Sequence, residues 1–258
     1  MSLPDTTPLI ALRQVGLAYA SPLTRFAPAR DGRVHALHDV SFDVFEGDKL
    51  GVIGRNGSGK STLMRILARI YDPDTGRVRF GRKIHVQMLS LGVGFEGSLT
   101  GRENAVLNGM LLGKSRAHML GRLAGIKEFS ELEDFFEMPV ATYSAGMVLR
   151  LGFSVAMETD PDVLLIDEVL GVGDASFARK SQDALVARFS SKMTVIMISH
   201  DPTIIGTFCT RAVWIDAGRT RMVGTAADVA AAYQKTSSPD APPRLHHQSG
   251  RLDADAPR

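Results

Sequence analysis

Gly54-Arg55-Asn56-Gly57-Ser58-Gly59-Lys60-Ser61 fits the spacing G-x-x-x-x-G-K-[ST]. Glycines at those places let a chain curl until its N–H groups converge on phosphate oxygens. A helix opening at the end of the loop adds its positive end. In such a loop Lys60 reaches the β- and γ-phosphates, and the Ser61 hydroxyl sits on Mg²⁺. Gly54, Asn56, Gly57, Ser58, Gly59, Lys60, Ser61 and Thr62 are the expected nucleotide contacts. A glycine-rich turn without a ligand is the plain alternative. An apolar strand pattern before the loop and an amphipathic helix pattern after it argue against that.

A pair of acids closes Val163-Leu164-Leu165-Ile166-Asp167-Glu168. A short, fully apolar run is the pattern of a strand buried on both faces, and parallel strands deliver their C-terminal ends to the ligand crevice. Asp167 can then hold Mg²⁺ through its water shell, and Glu168 can orient or deprotonate an attacking water. Without the phosphate loop, the same two acids would read as the cap of a following helix. Tyr143-Ser144-Ala145-Gly146-Met147 lies further along, with Ser144 84 residues beyond Lys60. Taken alone, Ser144 is a helix N-cap followed by small residues.

The elements that must position these residues alternate between strand and helix. Strand patterns cover 10–19, 40–46, 49–53, 77–80 and 84–89, and recur at 163–166, 194–198, 212–215 and 220–223. Val40, Phe42 and Val44 alternate with polar residues, as a half-buried antiparallel strand requires. Leu63, Ile66, Leu67 and Ile70 follow the loop at helical spacing. Helical patterns also fill 103–136, locally weakened by Gly109, Gly113, Gly121 and Gly125, and then 144–157. Thr225 with Asp228 would cap a last helix running to Gln234. Residues 20–34 read as a loop. The implied fold is an α/β sheet with a helical insertion between about residues 100 and 140.

Length and composition bound the rest. The 258 residues allow one large domain or two modest ones, and 44% hydrophobic with 22% charged residues suits a chain that buries a core. No window approaches the ~18–20 apolar residues that cross a bilayer. The start, Met1-Ser2-Leu3-Pro4-Asp5, lacks the pattern of a secretory signal. Cys209 is the single cysteine, which excludes an internal disulfide and points to a reducing, cytoplasmic setting. A net charge of +2 leaves no footprint for a nucleic-acid backbone. Four prolines and only two large apolar residues in 236–258 mark a disordered tail after a domain spanning 1–235. His246-His247 within it lacks ligand-like partners and reads as a solvated pair.

The order of phosphate loop, S-x-G at a helix start, apolar strand with Asp167-Glu168, and strand closing on His200 resembles the ATP-binding cassette (ABC) ATPases. That resemblance implies an ABC-type P-loop ATPase core, with an antiparallel β subdomain and an inserted helical subdomain. It implies ATP and Mg²⁺ as ligands, with Ser61 and Asp167 as the metal's residues. It also implies a head-to-tail homodimer in which Ser144, Ala145 and Gly146 bind the γ-phosphate of the partner's nucleotide. Ala145 stands where Gly is usual, and Met147 where Gln is usual. Asp174 resembles the D-loop aspartate, His200 the γ-phosphate-sensing histidine, and Tyr19 the aromatic that stacks on adenine. The plain reading of Tyr19 is a strand-end tyrosine covering the core edge. The Q-loop glutamine, which contacts Mg²⁺ and the transporter partner, has no counterpart near Ser90 or Leu91. The nearest glutamine, Gln87, falls within a strand pattern.

Leu91-Gly92-Val93-Gly94-Phe95, Leu99-Thr100-Gly101-Arg102-Glu103-Asn104 and the stretch from Ile166 to Asp174 resemble the subfamily that exports O-antigen, capsule and wall teichoic acid. The likeness spans about residues 9–234. It implies a subunit docked on a separate permease dimer at the cytoplasmic face of the inner membrane, with the glycan handled by the permease. Some exporters of O-antigen add a carbohydrate-binding β-domain, for which the residues after Lys235 are too few. Other importers or exporters, or an ABC protein acting on DNA or ribosomes, are the alternatives. The span between the loop and Ser144-Ala145-Gly146, which resembles the family's signature, is too short for the coiled coils of the DNA-repair members.

Overall fold

Alternation along 40–44 does what the pattern predicts: Val40, Phe42 and Val44 are buried while Ser41 and Asp43 are half-buried. The computed structural model describes residues 7–20, 33–89, 94–167, 174–189 and 192–237. In it β1 (Ile10–Ala20) pairs antiparallel with β2 (Arg33–Val44). Strand β2 begins at Arg33, well before the expected start at 40, because its early residues are recruited by β1: Tyr19 lies opposite Val34 and Ala18 opposite His35. The rest of the expected loop, 21–32, lies outside the described residues.

Strand β3 (Lys49–Ile53) is buried throughout. It leads to α1 (Lys60–Leu67), which buries Leu63, Met64, Ile66 and Leu67 and ends before Ile70, which is 54% exposed and not part of the helix. Strand β4 (Thr75–Phe80) pairs with the outer side of β1, and the exposed Arg77 and Arg79 place charge on that sheet edge, which discourages a further strand. Four more strands, β5 (Val86–Met88), β6 (Val163–Asp167), β7 (Thr194–Ser199) and β8 (Arg211–Asp216), run parallel to β3 in one block. Strand β9 (Arg219–Thr225) returns antiparallel on β8 through Asp216-Ala217-Gly218. The nine strands stand in the order β4-β1-β2-β9-β8-β3-β7-β6-β5. Their register puts Ile53 opposite Ser199, and Asp167 opposite Ile198. The C-terminal ends of β3, β7 and β6 are therefore level, which sets the place of the site.

The helical insertion is α2 (Gly101–Leu111) and α3 (Arg116–Ser130), followed by short 3-10 turns and α4 (Ala145–Ala156). Thr100 and Glu103 form a reciprocal capping box at the start of α2. Gly113, at φ 90°, breaks the expected long helix between α2 and α3. Gly109, Gly121 and Gly125 lie inside the helices; Gly109 lets Met119 pack against the α2 backbone. Helix α4 joins two cores. Leu151 and Val155 pack with Met119, Ile126 and Phe136 of the insertion, while Phe153 enters the sheet-side core.

Two further helices were not anticipated: α5 (Ala175–Phe189) and α6 (Pro202–Phe208). The buried positions of α5 include Phe177, Ser181 and Leu185, so a serine interrupts the apolar spacing that would have betrayed it. Helix α6 is a short element with Ile205 as its one fully buried side chain, started by the Asp201 carboxylate accepting from the Thr203 amide at 2.7 Å. The last helix, α7 (Ala226–Ser237), is capped as expected, with the Thr225 hydroxyl accepting from the Asp228 amide at 3.2 Å. It continues two residues past the expected boundary at 235; residues 238–258 lie outside the described residues.

Cys209 is buried between α6 and β3, and that burial pushes its thiol pKa up to about 12. The reactive thiolate is then scarce at pH 8. An aromatic disulfide reagent should leave the native thiol unmodified over minutes at pH 8 and titrate it fully in denaturant. Rapid labelling of the native protein would contradict this packing.

Candidate nucleotide site

The loop from Gly54 to Gly59 joins buried β3 to α1, so its chain must reverse direction within a few residues. Gly57 and Gly59 do so at φ 78° and φ 100°. A Cβ on Gly59 would run into the Ala36 carbonyl oxygen, and one on Gly54 into the Ile215 carbonyl oxygen, so the loop is clamped between β2 and β8. The Ser58 carbonyl accepts from the Gly218 amide at 3.1 Å, fixing the β8–β9 turn against it. Within this curl the Lys60 ammonium donates to the carbonyls of Gly54 at 2.7 Å and Arg55 at 2.9 Å. Its burial lowers the lysine pKa, while the charge of Asp167 opposes that shift.

A cavity of about 430 Å³ opens beside the loop, bounded by Asn56, Gly57, Lys60, Ser61 and Thr62 and floored by Asp167. Thus the two sequence elements expected to share a phosphate and a metal do meet. Val34, His35 and Ala36 of β2 form a further wall that the sequence reading did not anticipate. The signal would have been the pairing of β2 with β1, visible only in three dimensions. Tyr19 does not line this cavity. Its hydroxyl shares a hydrogen bond with Thr62 at 3.1 Å, and its ring meets Tyr71 edge-on at 6.0 Å. Through Thr62 it is joined to the wall of the cavity. His200 follows the last residue of β7 and is exposed beside the level strand ends. Glu168 and the segment from Ser90 to Val93 lie outside the described residues. Gln87 is a core residue of β5, 3% exposed, whose amide oxygen accepts from the Thr159 hydroxyl at 2.7 Å.

The residues present fit a nucleotide triphosphate with Mg²⁺. Glycines form a cradle that a Cβ would fill, a buried ammonium faces it, and the buried Ser58 hydroxyl makes no hydrogen bond of its own. Ser61 and Asp167 supply oxygens suited to the hard cation. Among the described residues, no cluster of three or more His, Cys, Asp or Glu side chains offers a metal site.

Ser144 and Gly146 lie in a second cavity of about 500 Å³, which shares no residue with the first. The Ser144 hydroxyl accepts from the Met147 amide at 3.2 Å and so caps α4. Ala145 is the exposed first residue of that helix. Tyr143 donates to the Phe135 carbonyl at 2.6 Å, tying the turn to the insertion. Asp174 lines the same cavity and caps α5, its carboxylate accepting from the amides of Ser176 at 3.0 Å and Phe177 at 3.1 Å. Met147 of the same motif lies here too, with Arg150, Glu131 and Glu133, which sequence reasoning missed. Asn104, within a stretch singled out by its subfamily likeness, is wholly buried. Its side chain donates to the carbonyls of Glu96, Leu99 and Thr100 and accepts from the Glu96 amide. That is a structural clamp.

A phosphate loop ending β3, an acid ending β6 and a parallel sheet with level ends define a P-loop nucleotide-binding protein of the α/β class. The chain belongs to the ABC transporter family, whose family model matches residues 37–171, and it carries that family's ATPase domain. It is 39% identical over 214 residues to the O-antigen export system ATP-binding protein RfbB of Klebsiella pneumoniae, covering 83% of this chain and 87% of that one. The protein of the same name from Myxococcus xanthus is 39% identical over 226 residues, but this chain spans only 52% of its length. The teichoic acids export ATP-binding protein TagH of Staphylococcus saprophyticus is 38% identical over 201 residues, covering 78% and 75% of the two chains. Among solved structures, an ATP-binding subunit of an ABC transporter aligns with TM-score 0.71 at 20% identity over 89% of this chain and 95% of that one. The cassette MJ0796, in a dimeric post-hydrolysis state bound to ADP and Pi, aligns with TM-score 0.67 at 20% identity over 84% and 98%. These structures show the shared fold.

Because burial lowers the Lys60 pKa, a bound phosphate should raise it again and stabilise the charged form. Nucleotide affinity should be full at neutral pH and fall as pH rises through the depressed lysine pKa, below the usual value of about 10.4. Titrations of a fluorescent ATP analogue between pH 7 and 10 check this. Lys60→Ala should bind about 10- to 100-fold more weakly at pH 7 and lose the alkaline slope.

Proposed function

We propose that this protein is the ATP-hydrolysing subunit of an ABC exporter that moves a lipid-linked polysaccharide across the inner membrane through a separate permease. The observation that carries the reading is the 39% identity to an O-antigen export ATPase subunit along 87% of that protein's length. No helix among the described residues is long and apolar enough to cross a membrane, which fits a pore formed by another polypeptide. The placement is the cytoplasmic face of that membrane, held there by the permease.

The chemistry follows from what each side chain can do. The loop amides and Lys60 would hold the β- and γ-phosphates of ATP, with Ser61 and Asp167 as the ligands and outer-shell partner of Mg²⁺. When bound, that cation neutralises charge on the phosphate oxygens. Glu168, next after Asp167, is positioned in sequence to accept a proton from the attacking water. His200, at the end of β7, contacts the γ-phosphate side. Ser144, Ala145 and Gly146 lie in or beside a cavity separate from the loop. A second, head-to-tail subunit supplies the nucleotide they face, and Asp174 lines that same junction. Closing two subunits over two nucleotides, and reopening after hydrolysis, would drive the permease.

Glu168→Gln should bind ATP and dimerise in its presence, while turnover falls by about 10²- to 10⁴-fold; ordinary hydrolysis would remove Glu168 from the role of base. Ser144→Arg should abolish hydrolysis yet leave nucleotide binding by the single subunit intact; equal loss of both would place the signature in its own subunit's site. For the export step, disrupting the gene in its host should strip a polysaccharide from the cell surface while its lipid-linked form accumulates inside. An unchanged surface coat would overturn the export reading.

A further inference from the structure

We propose that Arg150 is a positioning residue for ATP hydrolysis, holding Asp174 and the Ser144 turn at a fixed spacing across the second cavity. The proposal rests on the paired-subunit reading above, in which both segments face a neighbouring subunit's nucleotide. Arg150 lies on α4 six residues after the Ser144 cap, about 9 Å along the helix. One guanidinium nitrogen pairs with Oδ2 of Asp174, and the other donates to Oε2 of Glu131 at 3.2 Å. The guanidinium carbon lies 5.1 Å from the centroid of the Phe177 ring.

Each partner is itself committed elsewhere. Oδ1 of Asp174 accepts from the Ser176 amide and hydroxyl and from the Phe177 amide, so this carboxylate both caps α5 and receives Arg150. Oε1 of Glu131 accepts from the Lys180 ammonium at 2.8 Å, and that ammonium also donates to the Phe129 carbonyl at 3.0 Å. The contacts close a ring, from Arg150 on α4 to Glu131 after α3, then Lys180 on α5, and back through Asp174. Beneath it Phe129, Phe153 and Phe177 pack with centroids 5.8 to 6.1 Å apart. The helix carrying the signature turn and the helix carrying Asp174 are thus joined by polar contacts above and aromatic contacts below.

Two features distinguish positioning from simple stabilisation. The carboxyl side chains of Asp174 and Glu131 are 53% and 43% exposed against 18% for Arg150, and ion pairs with acids so open to water contribute little to folding. The ring also needs one planar cation that reaches two carboxylates in fixed directions, which a lysine cannot supply. Among the described residues, Arg150 is, moreover, the one cation lining a cavity that also holds Glu131, Glu133 and Asp174. Without it that wall would repel a phosphate approaching Ser144.

The test compares Arg150→Met and Arg150→Lys with the native full-length chain, and repeats Arg150→Met in the Glu168→Gln background. Binding of a fluorescent ATP analogue by the single subunit should stay within about twofold, and the unfolding midpoint within a few degrees. The kcat of hydrolysis should fall about 10- to 100-fold with KM for ATP changed less than about threefold, and lysine should not restore it. In the Glu168→Gln background, ATP-dependent dimerisation should need at least about tenfold more protein. Native kcat and dimerisation in Arg150→Met would overturn the proposal, as would an unfolded variant or full rescue by lysine, which would make the residue merely structural. Failure of the paired-subunit reading shows separately: the Glu168→Gln chain with Arg150 intact would then stay monomeric with ATP.

Discussion

The buried ammonium of Lys60 is the constraint around which the site is arranged. A charge taken out of water is tolerated only when it is paired and hydrogen-bonded. Here the carbonyls of Gly54 and Arg55 accept from it, and the charge of Asp167 favours its protonated form. Those carbonyls can turn inward only because the loop curls at Gly57 and Gly59 with positive φ, pressed against the backbone of β2 and β8. Asp167 is within reach only because β6 and β3 flank β7 in register. A phosphate entering this cradle meets a cation already held in place.

The second dependence is the division of functional residues between two cavities. Asp167 belongs with the loop, whereas Ser144, Gly146 and Asp174 belong together elsewhere. Helix α4 sits at the junction, with Leu151 and Val155 in the core of the insertion and Phe153 in the core against the sheet. Helix α4 is thus packed on both sides, against the sheet and against the insertion.

Much of this was legible because the residues concerned answer to local rules. The phosphate loop is read from its glycines and lysine, β6 from an apolar run ending in acid, and the α7 cap from Thr225 and Asp228. What escaped depended on packing between distant segments. His35 reaches the nucleotide cavity through the pairing of β2 with β1, and Arg150 finds Asp174 only when α4 and α5 pack. Tyr19 shows the converse: its strand-end position was readable, but its hydroxyl bond to Thr62 was not. Gln87 falls within a strand pattern in the sequence, and its burial against Thr159 in β5 agrees with that.

In the proposed dimer, each subunit's signature turn serves the nucleotide on its partner's phosphate loop. Mixing two inactive variants tests it most directly: Ser144→Arg, with its loop intact, and Lys60→Met, with its signature intact. Hydrolysis should reappear in the mixture, because the mixed dimer contains one site built from an intact loop and an intact signature. If each chain's signature serves its own loop, neither chain carries a working pair, and the mixture would remain as inactive as its parts.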